Sequence, residues 1–300
     1  MSMDLHGKVA LVTGSGRGLG LAFASHLARA GAAVVINDVD EAAAEAAVRA
    51  IVDAGGQAVA EVVPVGSSGA AQRCVDRAVA AFGRLDIAVS NADILRDKVL
   101  WNMSDEDFDM VVETHLRGTF TVARAAVRQM REQGGGGRLI LVSSVAGQRG
   151  NFGQTNYAAA KAGIAAFART WAMECARSRI TVNAIVPTAM TGMVATIPGM
   201  APYAEAVARG EPLPPALRAG MGLGVPEDVA PLVVFLASDE AANVTGQCIG
   251  LGGDKLALWA HPQEKRAAYR SGGWTAEAIA EVWRNSVGQE PETYGVELPT

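Results

Sequence analysis

The stretch Lys8-Val-Ala-Leu-Val-Thr-Gly-Ser-Gly-Arg-Gly-Leu-Gly20 decides the fold of this chain. Its first half is a short apolar run, which is typical of a buried strand in a parallel sheet. Its second half carries Gly14, Gly18 and Gly20, and residues 21–30 have the composition of a helix. A glycine turn between a strand and a helix lets the backbone approach a pyrophosphate, which the helix N-terminus favours. We therefore predict a dinucleotide-binding unit here, with a plain structural turn as the alternative.

The second predicted strand ends at an acidic residue that bears on cofactor choice. Asp38 follows residues 33–37 and lies 18 residues beyond Gly20, close to the spacing at which an acid meets the adenosine ribose hydroxyls. A carboxylate there repels a 2'-phosphate, so Asp38 favours NAD over NADP. Arg17, in the glycine turn, points to NADP instead, because a basic side chain there can bind a phosphate. Val39, next to Asp38, supplies no second basic side chain for that phosphate. A capping role for Asp38 at the next helix is the structural alternative.

Strands and helices alternate up to about residue 253. Further strands are predicted at 58–65, 85–90, 138–143, 180–186 and 247–251, with helices at 41–54, 70–82, 104–133, 155–177 and 226–238. This alternation requires a parallel sheet with helices on both faces. The long stretch 104–133 is predicted to break near His115-Leu-Arg-Gly118. We predict one doubly wound catalytic domain over residues 1–253.

Two segments stand outside the alternation. Residues 188–224 are rich in Met and Pro and follow the carboxyl end of a strand, which favours a flexible lid over an apolar substrate; an insertion packed on the domain surface is the alternative. Residues 254–300 form a C-terminal extension with a helix signal, in which Thr275 is the N-cap and Glu277 lies in the first turn. Its apolar residues must bury against the domain or a neighbouring subunit.

Three side chains carry the chemistry that the sequence suggests. Tyr157 and Lys161 are four residues apart in an Ala-rich helical stretch, so they share one helix face. A neighbouring ammonium favours the phenolate, so we expect Lys161 to lower the pKa of Tyr157. A phenol tuned toward neutrality exchanges a proton with a secondary alcohol, and Ser144 is placed to hold the same oxygen by a hydrogen bond. An exposed helical Tyr and Lys is the alternative for the pair alone.

Composition limits the partners. The net charge of -5 and the lack of a Lys/Arg run argue against nucleic acid. The three cysteines have no metal-ligand spacing, so we expect no metal and buried thiols in a reducing compartment. No apolar run is long enough to span a bilayer. We expect a cytoplasmic protein that does not bind membranes.

The chain resembles the short-chain dehydrogenase/reductase family over residues 8 to about 253. The resemblance rests on the glycine turn Thr13–Gly20, Asn91-Ala92, Ser144, Tyr157 and Lys161, in that order and spacing. It implies a single Rossmann-type domain with a seven-stranded parallel sheet, a homotetramer or homodimer, and a small-molecule alcohol or ketone as substrate. It also implies the roles that follow.

By this resemblance Tyr157 is the catalytic acid/base, Ser144 orients the carbonyl oxygen, and Lys161 lowers the Tyr157 pKa and binds the nicotinamide ribose. The cofactor NAD is then bound by Tyr157, Lys161 and these further residues: Gly14, Arg17, Gly18, Leu19, Gly20, Asp38, Val65 (adenine), Asn91, and Pro187 with Thr191 (nicotinamide side).

Three stretches give a closer likeness: residues 93–97, 114–120 and 150–157. They resemble the (3R)-hydroxyacyl-CoA dehydrogenase unit of peroxisomal multifunctional enzymes, and bacterial 3-oxoacyl reductases share much of them. This likeness implies a 3-hydroxyacyl thioester as substrate. A lipophilic cyclic, terpenoid or steroid alcohol is the alternative, and an NAD-binding regulator without turnover is a third hypothesis.

The chain departs from the family pattern at three points. Asp93 stands where Gly is usual, so a carboxylate lies near the predicted cofactor site. His115 replaces an Asn that helps to hold a water on the proton path; its ring nitrogen either takes over that role or caps a helix bend. Thr188 follows Pro187 where Gly is usual, which puts the local turn in doubt.

Overall fold

The computed structural model describes residues 3–191, 194 and 199–295. The strands in this part of the chain are β1 Val9–Thr13, β2 Ala33–Asp38, β3 Gln57–Val62, β4 Ile87–Ser90, β5 Gly137–Val142, β6 Ile180–Pro187, β7 Cys248–Gly252 and β8 Lys255–Leu258. They form one sheet in the order β3-β2-β1-β4-β5-β6-β7-β8. The order reverses between β1 and β4, which creates a crevice at the carboxyl ends of these two strands.

The helices are α1 Gly18–Arg29, α2 Glu41–Asp53, α3 Ser68–Phe82, α4 Asp105–Val112, α5 Gly118–Gln133, α6 Val145–Arg149, α7 Thr155–Cys175, α8 Ala201–Ala208, α9 Pro226–Ala237 and α10 Ala276–Val282. Polar caps fix several of the starts. The side chains of Ser67, Ser104 and Thr275 each accept a hydrogen bond from the backbone N–H three residues on. The predicted N-cap at Thr275 is therefore confirmed.

Helices cover both faces of the sheet, as the alternation predicted. Helices α1, α2 and α9 bury apolar residues against one face, and α3, α5 and α7 bury theirs against the other. Strands β1, β4, β5 and β6 lie between the two layers and are almost entirely buried, which explains why they read as continuous apolar runs. The doubly wound α/β class is confirmed.

The predicted break in the long helical stretch is a π-helical turn at Glu113–Arg117, which separates α4 from α5. Such turns often mark functional sites because they redirect a side chain. Here the turn buries His115.

The sheet has one more strand than expected. The seven predicted strands are parallel, and the eighth, β8, pairs antiparallel with β7. It is made by the first residues of the C-terminal extension, directly after a two-residue connection at Gly253-Asp254. Gly253 adopts φ +50°, the left-handed region that favours glycine in such a turn. The extension therefore begins as part of the sheet.

Candidate active site

The glycine turn and the end of β4 are tied together at the crevice. The Asn91 side-chain amide donates hydrogen bonds to the carbonyls of Thr13 and Gly14, at 2.9 and 3.0 Å. In return the Thr13 hydroxyl accepts from the backbone N–H groups of Asn91 and Ala92. These contacts fix the loop that follows β4 relative to the turn that follows β1.

The glycines of the turn meet two different requirements. A Cβ on Gly20 would lie 2.1 Å from the Gly14 carbonyl oxygen, so glycine is needed there for close packing of helix on turn. Gly18 has φ +57°, and a Cβ added to it would have no atom within 4 Å, so the space beside Gly18 is open. A cavity of about 630 Å³ lies beside Gly18 and runs along α1, and its lining includes Arg218 and Val225. An open helix N-terminus with backbone exposed in this way suits a pyrophosphate.

Asp38 is fixed at the rim of the turn. Its carboxylate accepts from the backbone N–H of Gly16 at 2.9 Å and of Asp40 at 3.1 Å. Arg17 points to a different acid, with Nη2 3.1 Å from Asp40 Oδ2, and Val39 is two-thirds exposed. The carboxylate of Asp38 is thus held beside the turn, while the one base nearby is paired elsewhere. The α2 cap is Asp40, not Asp38.

Tyr157 and Lys161 project from α7 toward the end of β5, where Ser144 caps the short helix α6. Lys161 is buried, and its Nζ donates to the Val142 carbonyl at 3.0 Å. The ammonium lies 5.3 Å from the centre of the Tyr157 ring. The three predicted catalytic side chains therefore meet at the carboxyl end of the sheet.

A fourth group joins them. Oδ2 of Asp93 lies 3.1 Å from Lys161 Nζ and accepts a hydrogen bond from the Tyr157 hydroxyl at 3.3 Å. Desolvation raises the pKa of Tyr157 well above its usual value, and the negative charge of Asp93 raises it further; a side-chain hydrogen bond with Ser144 acts in the opposite direction. The expected lowering of the Tyr157 pKa by Lys161 is therefore wrong for this state of the protein. The main reason is that the phenol is desolvated by burial, and the second is the Asp93 carboxylate, which lies against both the ammonium and the phenol.

His115 lies on the other side of the same carboxylate. Its Nε2 is 3.2 Å from Asp93 Oδ1 and also contacts the backbone N–H and carbonyl of Ile94, at 3.1 and 2.9 Å. Its ring packs edge-on against Tyr157. Burial lowers the pKa of His115 to about 4, so the imidazole is neutral near pH 7. It holds the loop after β4 and does not cap the helix bend.

The remaining predicted cofactor residues lie around the crevice. Val65 lies beyond the end of β3. Its side chain packs close to Gly118, where it would contact a Cβ added to that glycine. Pro187 ends β6, and Thr188 pairs through its backbone with Leu251 and Gly224. The Thr191 hydroxyl accepts from the backbone N–H of Val194 at 3.4 Å. Leu19, in the first turn of α1, is partly buried against the core.

The predicted lid has a small core of its own. Met190, Leu213, Leu217 and Leu223 are buried together, with Met200 and Met221 packed against them. Its two ends are joined by hydrogen bonds between Met190 and Gly224 and between Gly224 and Thr188. Met193 lies outside the described residues.

A cavity of about 360 Å³ lies beside α6. It is lined by α6, by the lid and by the extension, including Val145, Arg149, Thr188, Met221, Lys255 and Trp259. The far end of the extension returns to the same place. The Arg149 guanidinium donates to the Gly295 carbonyl at 3.0 Å, and the Arg149 backbone carbonyl accepts from the Gly295 backbone N–H. Sequence reasoning missed Arg149 and Lys255, and no motif marks them, whereas Trp259 is one of the apolar residues of the extension that were expected to bury.

Residues 14–253 match the family model described as "Enoyl-(Acyl carrier protein) reductase". The chain belongs to the short-chain dehydrogenase/reductase family. The hydroxyacyl-CoA dehydrogenase ChsB1 of Mycobacterium tuberculosis is 41% identical over 96% of this chain and 92% of its own length. The peroxisomal multifunctional enzyme type 2 of Mus musculus is 36% identical over 96% of this chain and 38% of its own length. Bacterial 3-oxoacyl-[acyl-carrier-protein] reductases also match, over about 84% of this chain.

A solved structure covers the whole length as well. The chain is similar to a short chain dehydrogenase from Mycobacterium avium, with a TM-score of 0.83 and 34% identity over 99% of this chain and 100% of the other. Both the recognised family and the closer likeness to hydroxyacyl-CoA dehydrogenases are confirmed. The protein is thus an oxidoreductase of a family that binds a nicotinamide cofactor.

Two expected absences concern the described residues alone. In residues 3–191, 194 and 199–295 no group of three His, Cys, Asp or Glu side chains is arranged to hold a metal. Within the same ranges no helix has the length and apolarity that a membrane span requires.

Proposed function

We propose that this short-chain dehydrogenase/reductase is an NAD-dependent oxidoreductase that converts a secondary alcohol to a ketone, or the reverse. The observation that carries the proposal is the meeting of Ser144, Tyr157 and Lys161 at the carboxyl end of the sheet. Tyr157 is the acid/base: as phenolate it takes the alcohol proton, and as phenol it returns the proton to the ketone oxygen. Ser144 hydrogen-bonds the same oxygen and orients it.

The open glycine turn fits a dinucleotide. The backbone at Gly14, Gly18 and Gly20 would hold the pyrophosphate, and Asp38 would meet the adenosine ribose. Asn91, Pro187, Thr191 and Lys161 would line the nicotinamide end, and Val65 the adenine. When bound, the nicotinamide ring supplies the hydride acceptor or donor. NAD is favoured over NADP because Asp38 is buried to 8% exposure and keeps its carboxylate at the turn.

The proposed substrate is a 3-hydroxyacyl thioester. The hydroxyacyl-CoA dehydrogenase ChsB1 and the peroxisomal multifunctional enzyme type 2 each match 96% of this chain. Two rodent (3R)-3-hydroxyacyl-CoA dehydrogenases match 84% of it, the same share as a 3-oxoacyl reductase. The cavity beside α6 supports the same substrate class. It joins apolar walls from Val145, Met221 and Trp259 to the cations of Arg149 and Lys255. An acyl chain that ends in an anionic carrier needs both surfaces.

We also propose that the protein is a homodimer or homotetramer. The described chain leaves large apolar side chains exposed on β8 and on the extension, namely Leu256, Leu258, Tyr269, Trp274 and Trp283. Such groups are rarely tolerated on a monomer surface. Leu256 and Leu258 lie on β8, the last strand in the order of the sheet, so this edge is the proposed subunit contact.

A substrate panel tests the proposal. Purified protein is assayed for production of reduced cofactor with NAD or NADP and one of four alcohols: a (3R)-hydroxyacyl-CoA, its (3S) isomer, the free hydroxy acid and a steroid alcohol. The proposal predicts the highest kcat/KM with NAD and one hydroxyacyl-CoA. A higher kcat/KM with the steroid alcohol would move the assignment to lipophilic cyclic alcohols. No turnover with any alcohol, while NAD still binds, would favour the regulator hypothesis.

A further inference from the structure

Asp93 is the unusual residue of this site. It follows Ala92 in the loop after β4, the loop that Asn91 and Thr13 tie to the glycine turn. The backbone of the next residue, Ile94, is held by the buried His115 ring. Both anchors fix the position from which the Asp93 side chain reaches into the site.

The carboxylate touches all three titratable groups of the site. Its Oδ2 lies 3.1 Å from Lys161 Nζ and 3.3 Å from the Tyr157 hydroxyl, and its Oδ1 lies 3.2 Å from His115 Nε2. The Asp93 side chain is 17% exposed, and those of Lys161 and His115 are 1% and 0% exposed. Charges this close and this buried interact strongly, because little water lies between them.

We propose that Asp93 is a positioning residue. Its carboxylate holds the Lys161 ammonium in an ion pair and keeps Tyr157 in its phenol form. Asp93 thereby sets the pH range in which this enzyme oxidises alcohols. The inference rests on the proposed function of Tyr157 as the acid/base. Asp93 acts on the ratio of phenol to phenolate at Tyr157. That ratio decides whether Tyr157 donates or accepts the substrate proton at a given pH.

The charges around Tyr157 favour its phenol form. Without Asp93, a phenolate at Tyr157 would face the cation of Lys161. With Asp93 in contact with both groups, the phenolate would also face a negative charge at hydrogen-bond distance, and Lys161 is already neutralised. Asp93 therefore stabilises the phenol, which donates a hydrogen bond to it, relative to the phenolate. Reduction of a ketone starts from the phenol, whereas oxidation of an alcohol starts from the phenolate.

The charged and titratable groups that face Tyr157 come from three elements. Lys161 lies on α7, His115 on the π-helical turn, and Asp93 and Asp97 in the loop after β4. His115 is neutral near pH 7 because burial lowers its pKa to about 4. Asp97 acts on Tyr157 more weakly than Asp93 does and hydrogen-bonds Gln154 instead. Asp93 is thus the dominant negative charge.

Asp93→Asn is the first test. The variant keeps the size of the side chain and removes its charge, and Asp97→Asn is the matched control. Ionisation of Tyr157 is measured without cofactor or substrate, as the difference in phenolate absorbance between each protein and the same protein carrying Tyr157→Phe. This subtraction removes the other three tyrosines of the chain.

The expected result is a shift of the Tyr157 titration toward lower pH by about one unit or more in Asp93→Asn, and a smaller shift in Asp97→Asn. The pH profile for alcohol oxidation should shift in the same direction, with about tenfold more oxidation at a pH on its rising limb. A role of Asp93 in stability alone would lower the unfolding temperature and leave both titrations in place.

Two outcomes overturn the proposal: an unchanged Tyr157 titration in folded Asp93→Asn, or an equal shift in Asp97→Asn. If Asp93→Asn does not fold, Asp93→Gly restores the residue usual in the family and is measured in its place. The Tyr157 titration of the wild-type protein is a further test. If Tyr157 ionises at a lower pH than exposed tyrosines do, the proposal is contradicted. Because the absorbance titration needs no substrate, it stands even if the hydroxyacyl thioester assignment fails.

Discussion

Cofactor choice is predicted to depend on a single carboxylate. Asp38 is almost fully buried and is held beside the glycine turn by the Gly16 and Asp40 backbone N–H groups. Asp38→Asn removes the charge and keeps an oxygen that accepts from Gly16. The variant therefore separates the charge of Asp38 from its part in shaping the turn.

The expected size follows from the Coulomb energy. Two unit charges about 6 Å apart repel by about 3 kcal/mol at the effective dielectric constant of a protein surface. An energy of this size corresponds to a preference of roughly 100-fold. Arg17 offsets little of it, because its guanidinium is paired with Asp40 and is largely exposed to solvent.

The assay is kcat/KM with NAD and with NADP. Wild type should prefer NAD by roughly 100-fold, and Asp38→Asn should reduce the preference to within about tenfold. Adding Val39→Arg, at a position that is two-thirds exposed, should narrow the preference for NAD over NADP further. Glu41→Gln is the control, since it removes an acidic charge from the first turn of α2 and leaves both Asp38 and the Arg17–Asp40 pair in place. A wild type that prefers NADP would show that Arg17 outweighs Asp38 and would refute this reasoning.

Two further predictions concern stability and the extension. Burial lowers the pKa of His115 in the folded protein to about 4, from its ordinary 6.5. Between these two pH values the unfolded chain therefore binds one proton that the folded protein does not. The free energy of unfolding should rise with pH across that window by on the order of 3 kcal/mol. Urea unfolding of wild type and His115→Asn tests this, and equal pH slopes would contradict it. Truncation after Gly253 removes β8 and α10, so it should lower the oligomeric state or solubility and change KM for the alcohol more than for NAD. Light scattering and kinetics decide, and if neither changes, the extension is dispensable.

The layer structure could be predicted because buried parallel strands leave a clear pattern. Apolar runs located the seven parallel strands to within a few residues. The eighth strand was missed although its signal was present. A two-residue Gly253-Asp254 connection between short apolar runs is a hairpin signal, but Lys255–Leu258 is only four residues long and has no buried face of its own.

The sequence could predict which side chains come together at the candidate site but not the electrostatics around them. The spacing of Tyr157 and Lys161 placed both on one helix face, and the structure brings them to Ser144. The direction of the Asp93 side chain depends on a loop held by His115, which in turn depends on the π-helical turn. No local pattern encodes that chain of contacts or the depth at which the phenol is buried. The sequence therefore predicted a lowered pKa for Tyr157, whereas desolvation and the Asp93 charge raise it.

The most direct test of the account removes the phenol oxygen alone. Turnover and NAD binding are measured for wild type, Tyr157→Phe and Tyr203→Phe, with NAD and the best hydroxyacyl thioester. General acid–base catalysis contributes about 100- to 10,000-fold, so Tyr157→Phe should lose at least about 100-fold in turnover and still bind NAD. Tyr203→Phe, the same change in α8 of the lid, should stay near wild type. Near-normal turnover in Tyr157→Phe would contradict the central claim that this phenol exchanges the substrate proton.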